Sequence, residues 1–205
     1  MTPRRRKSMT LLAGVAVNGL VLIAWTQGWL TVTLVADENG GAVIGVGGDI
    51  AAAGLSALGL AGLALVGALS IAGPVFRIVL GVLQVLIGGT VALSTWLAIT
   101  DPVASSALAV TNVTGVSGAE SVAGLVLGTS TTFWPWFALV LGVAAVALGI
   151  TIVATGRSWP GSSRKYQAVA FTNADGSTIA GSTTVEPDAV ADWDSLSDGS
   201  DPTSR

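Results

Sequence analysis

Between Asp49 and Asp101 lie fifty-one residues carrying a single charge, Arg77. One continuous helix of that length would run about 77 Å at ~1.5 Å per residue, more than twice the ~30 Å hydrocarbon core of a bilayer. The run therefore has to fold back on itself. Gly73-Pro74, with Arg77 beside it, supplies the place, because glycine permits a tight reversal and proline removes a helix donor. This predicts two spans, 50–72 and 78–100, joined by a turn at 73–77.

Two further apolar segments flank the hairpin: 10–30, with Asn18 as its strongly polar interior residue, and 133–154, which has no charge. Leu11 to Trp25 follows a basic stretch, as a secretory signal would. It ends in Ala24-Trp25-Thr26-Gln27 without a small-x-small cleavage site, so it reads as a signal anchor. Charged residues make up 10% of the chain, against roughly 25% in soluble domains. The expected class is an all-α membrane protein, a bundle of four transmembrane helices in the cell membrane.

Orientation follows from Lys and Arg near the span ends, which stay on the cytoplasmic side. With four spans, the N-terminus 1–9, the Arg77 turn and the tail 155–205 share one face and hold all nine basic residues. Both termini are thus expected in the cytoplasm. Arg77 reads as a snorkelling turn residue whose loss the eight other basic residues would tolerate.

Leu30-Thr31-Val32-Thr33-Leu34-Val35, a turn at Asp37-Glu38-Asn39-Gly40-Gly41, and Ala42-Val43-Ile44-Gly45-Val46 predict a small extracytoplasmic β-hairpin in the first outer loop, 31–49. Asp49 is placed to cap the following helix. The second outer loop, 101–132, is rich in Ser, Thr, Gly and Val, with a short strand expected near Ala109 to Val113. Trp25, Trp29, Trp96, Trp134 and Trp136 fall at the outer span ends, and Trp159 at the inner end of the last. Indole favours the headgroup level, so a membrane girdle accounts for them; the sharper reading is an outer aromatic ligand site.

Without Cys or His the chain has no thiol catalyst, no disulfide and no imidazole base or metal ligand. Neither an enzyme nor a cofactor or metal site is expected. The spans lack the buried ionisable residue that transporters usually carry. Their polar residues are Asn18, Ser56, Ser70, Gln84, Thr90, Ser94 and Thr151. Hydroxyls bond their own helix, and Asn18 and Gln84 are expected to bond between helices. Ala138, Gly142, Ala145 and Gly149 form one face of the last span, and Gly81 and Gly88 stand seven apart in the third. Such stripes let helices approach closely, within a bundle or between copies.

From Trp159 onward the chain is polar, with seven of its twelve carboxylates from Asp175 on, which predicts a disordered C-terminal tail. Near its end Trp193 and Leu196 stand three apart, flanked by Asp192, Asp194, Asp198 and Asp201-Pro202. One helical turn would put both on one face, as in a short peptide that docks into a groove.

With these residues in view the chain resembles the tryptophan-biosynthesis-associated membrane proteins of actinobacteria. The likeness rests on Gln27-Gly28-Trp29, on Gly48 through the second span to Arg77, and on Trp134-Pro135-Trp136. It continues in Gly156-Arg157-Ser158-Trp159-Pro160, in Ser163-Arg164-Lys165-Tyr166, and in Trp193 through Thr203. Gly28, directly before the Trp, departs from the proline the family often has there. The resemblance implies a cell-membrane location and four spans, and names no established activity. In outline the arrangement is also similar to claudin-like four-helix proteins, without their loop cysteine pair.

These readings favour a non-enzymatic scaffold or regulator that recruits a cytoplasmic protein through Trp193 and Leu196, with the lipid bilayer as its other partner and no nucleic acid. The alternative is a carrier for tryptophan or a related aromatic metabolite, and a third reading is a sensor built from the outer loops.

Overall fold

The computed structural model describes residues 3–35, 41–156 and Trp159. Three helices are long and apolar enough to cross a membrane: α1 (Pro3–Trp25) over Arg5–Trp25, α4 (Pro74–Thr100) and α7 (Phe133–Thr155). A fourth apolar helix, α3 (Leu55–Ile71), is shorter at 17 residues. Large apolar side chains stand exposed along them, among them Leu12, Val15, Leu86, Leu93, Val140 and Ile150. Faces of that kind suit lipid, and soluble chains rarely present so much contiguous apolar surface.

The expected second span is broken. Gly48–Ala51 forms a single turn, α2, and Ala52 then leaves helical geometry at φ −147°, ψ 60°, before α3 begins at Leu55. A Cβ on Gly48 would stand 2.6 Å from the Trp29 indole nitrogen and 2.7 Å from the Trp25 carbonyl, so α2 is tucked beneath those residues. Asp49 lies inside α2's first turn, and Gly47 holds the N-cap position without a side-chain cap, contrary to the capping expected of Asp49.

The reversal between α3 and α4 is also tighter than 73–77. Ala72 and Gly73 are extended, Pro74 starts α4, and Arg77 is already helical. Proline suits a first helical position, where its missing N–H would have no partner and its φ is preset.

The first span ends at Trp25 and not at Leu30, because β1 (Gly28–Leu34) reaches back to take the residues between. The expected hairpin forms with β2 (Val43–Gly47), pairing Leu30 with Val46 and Val32 with Ile44. A third strand, β3 (Val126–Thr131), pairs antiparallel on the other side of β1, giving the order β2-β1-β3. Both loops therefore build one cap over the bundle.

No strand forms at Ala109–Val113. That stretch belongs to α5 (Pro102–Thr114), started by the Asp101 carboxylate, which accepts from the Ala104 N–H at 3.0 Å, and by Pro102. Gly115 ends it at φ 71°, a left-handed conformation that glycine adopts without strain. The helix α6 (Ala119–Leu125) follows. Ser106, Ala109 and Val110 form α5's buried face at helical spacing, so its β-branched residues yield to a well-started helix.

Candidate functional site

The buried residues of α4 are Arg77, Gly81, Gln84, Gly88, Val91, Thr95 and Ala98, a strict alternation of four and three. Those of α7 include Pro135, Ala138, Gly142, Ala145, Gly149 and Ile152 in the same rhythm. This is the heptad seam of a packed helix pair. The two small-residue stripes read from the sequence face each other within one chain. A Cβ on Gly88 would stand 2.6 Å from the Val146 nitrogen, one on Gly142 2.7 Å from the Ala92 nitrogen, and one on Gly149 2.8 Å from the Gly81 carbonyl. As numbers rise along α4 they fall along α7, so the pair is antiparallel and its backbones touch. In lipid no hydrophobic effect draws helices together, and dispersion across such close contact takes its place.

A second tight pair joins α1 to α3. Gly59 admits Leu22, with 2.7 Å left for a Cβ, and Gly62 lies directly against the Asn18 carboxamide oxygen. Asn18 is buried, but its amide donates to the Gly14 carbonyl at 2.8 Å, within its own helix and not across helices as expected. Gln84 is fully buried in the α4–α7 seam. Neither atom of its carboxamide has a partner among the described residues, nor has the Thr95 hydroxyl.

At the end of the bundle away from the cap, Arg77 departs from its reading as a snorkelling turn residue. It is 2% exposed. Its Nε donates to the Ala72 carbonyl at 3.0 Å, and Nη1 donates to the Gly156 and Trp159 carbonyls, both at 3.1 Å. The guanidinium carbon also lies 5.6 Å from the centroid of the Trp159 ring. Ala72 closes α3 and Gly156 closes α7. Helix C-termini leave carbonyls without intrahelical partners and carry partial negative charge, so one planar cation answers both ends at once. The sequence signal was present in Gly156 and Trp159, but only the fold brings them level with Arg77.

The five tryptophans expected at the outer span ends divide. Trp29 is fully buried under the sheet, its indole N–H donating to the Ala24 carbonyl at 2.7 Å, so it belongs to the core and not to a girdle. A bulge between Gly28 and Leu30 places it there: neighbouring strand residues normally face opposite ways, and the extra residue lets Trp29 and Leu30 both turn inward. Trp25 and Trp134 pack partly buried against the same core, and Trp134 stands edge-on to Phe133 and Phe137. Trp96 and Trp136 are half exposed on α4 and α7. Trp193, Asp194, Leu196, Asp201 and Pro202 lie outside the described residues, as does the tail expected to be disordered. Among the described residues no three acidic side chains come together as metal ligands.

A family model described as a tryptophan-associated transmembrane protein matches residues 11–203, in line with the resemblance carried by the motifs above. No curated relative and no solved structure matches the chain.

Proposed function

The chain belongs to the tryptophan-associated transmembrane protein family, and from that premise we propose that it is a non-enzymatic membrane scaffold or regulator with both termini in the cytoplasm. In this reading α1, α3, α4 and α7 all cross the bilayer, with α2 completing the short span. The sheet with α5 and α6 forms the extracytoplasmic cap, and the tail recruits a cytoplasmic protein through Trp193 and Leu196.

The observation that carries the reading is the backbone contact along α4 and α7. A carrier alternates access by rocking one part of its bundle against another around a central site. A seam in which Gly88 and Gly142 leave no room for a methyl group resists such movement. Arg77 adds to this by tying the ends of α3 and α7 to the start of α4. It also holds the Trp159 carbonyl against the ends of α3 and α7.

The test is uptake of labelled tryptophan and anthranilate by vesicles holding the purified protein. A scaffold gives no uptake above protein-free vesicles, whereas saturable uptake returns the carrier reading to first place.

A further inference from the structure

Beyond the scaffold reading, the cap contains a groove of about 520 Å³ between α5 and α6. Its size falls in the range of small-molecule sites, roughly 300–1,000 Å³. One wall is the face of α5 bearing Asp101, Ala104, Ala107 and Thr111, and α6 contributes Val122 and Ala123. The space exists because most of these side chains are short. Gly115 and Gly118, both at positive φ, turn the chain so that α6 folds back beside α5.

The groove has two polar features, and they differ in kind. The Asp101 carboxylate accepts from the Ala104 N–H through one oxygen, and its second oxygen has no partner among the described residues. The Thr111 hydroxyl, about 15 Å along the helix at ~1.5 Å per residue, is likewise unengaged. Between them the lining is apolar. Residues 26–54 and 100–134, which include the whole cap, contain Asp37, Glu38, Asp49, Asp101 and Glu120 and no Lys or Arg. The field over this face is therefore negative, and it draws cations towards the groove.

We propose that this groove binds a small primary amine with an apolar, ring-sized body: the ammonium pairs with Asp101 and the body lies along Ala104, Ala107 and Ala123. A charge-assisted hydrogen bond sets the orientation, and the slot between short side chains sets the thickness of the body. An anion of the same shape meets the carboxylate and is rejected.

The experiment is isothermal titration of the full chain in lipid nanodiscs with phenethylamine and, separately, with 3-phenylpropionate, each corrected with empty nanodiscs. Saturable binding of the amine alone is expected. Asp101→Asn keeps an oxygen to cap α5 and removes the charge, and should weaken binding about tenfold or more. Ala104→Leu, at an exposed position on the groove wall, should block the slot to a similar degree while the helical circular dichroism stays unchanged. Absence of saturable amine binding, equal binding of the anion, or unchanged binding by Ala104→Leu overturns the proposal. If Asp101→Asn fails to fold, the pair of probes on the unaltered chain and the Ala104→Leu variant still decide it.

Discussion

Gly88 and Gly89 are neighbours in α4 and should respond to the same substitution in opposite directions. A Cβ at Gly88 would meet the Val146 nitrogen at 2.6 Å, whereas ordinary contact begins near 3.4 Å, so Gly88→Ala forces the two backbones apart by about 0.8 Å. Backbone cannot swing aside as a side chain can. Overpacking of this kind costs about 1–3 kcal/mol, and the rigid seam loses dispersion at Gly81, Gly142 and Gly149 as well. Against this stands the helix preference for alanine over glycine, about 0.5–1 kcal/mol. The net expectation is destabilisation by about 1–2 kcal/mol. Gly89 has nothing within 4 Å of its added Cβ, so Gly89→Ala keeps only the favourable part and should stabilise by about 0.5–1 kcal/mol. Equilibrium unfolding in mixed micelles with increasing SDS measures both. Similar effects of the two substitutions, or a stabilising Gly88→Ala, would refute the backbone-contact seam.

Arg77→Ala leaves the Ala72, Gly156 and Trp159 carbonyls without their cationic donor and should cost about 3–5 kcal/mol in the same unfolding assay. Arg77→Lys, which cannot span the three acceptors with one ammonium, should recover only part of that; full recovery would show that charge alone matters. In this chain without natural cysteines, a cysteine at exposed Asn112 should react with an impermeant thiol reagent from outside the cell and one at Ser182 should not. The reverse labelling would overturn the orientation and, with it, cytoplasmic docking. Trp193→Ala with Leu196→Ala should weaken capture of a cytoplasmic partner at least ~30-fold, the loss expected for about 2 kcal/mol from an aromatic anchor. An unchanged set of partners would make the segment passive.

The apolar runs, the reversal at Gly73-Pro74 and the first hairpin were legible because each rests on local chemistry: hydropathy, a proline at a helix start, and strand alternation from Leu30 to Leu34. The small-residue stripes were legible too and favoured a packed bundle over a dimer, but which stripe meets which is a tertiary fact. At 109–113 the β-branched Val110, Thr111 and Val113 favour a strand by type, but the Asp101-Pro102 start signal prevails and the stretch is helical. The third strand carries Val126, Thr129 and Thr131 as strand formers but is interrupted by Gly128, and its pairing partner β1 lies about a hundred residues away. Arg77 departs from its sequence reading for a related reason. Its neighbours in sequence suggest a solvated turn, whereas two of its acceptors among the described residues lie 79 and 82 residues downstream. Gln84 likewise gave no hint that it would sit in the seam without a partner among the described residues.

The scaffold reading stands or falls on whether the bundle moves solute. Labelled tryptophan should enter vesicles holding the purified chain no faster than it enters protein-free vesicles, with or without an opposing gradient of unlabelled tryptophan. Saturable uptake accelerated by that gradient would contradict the account.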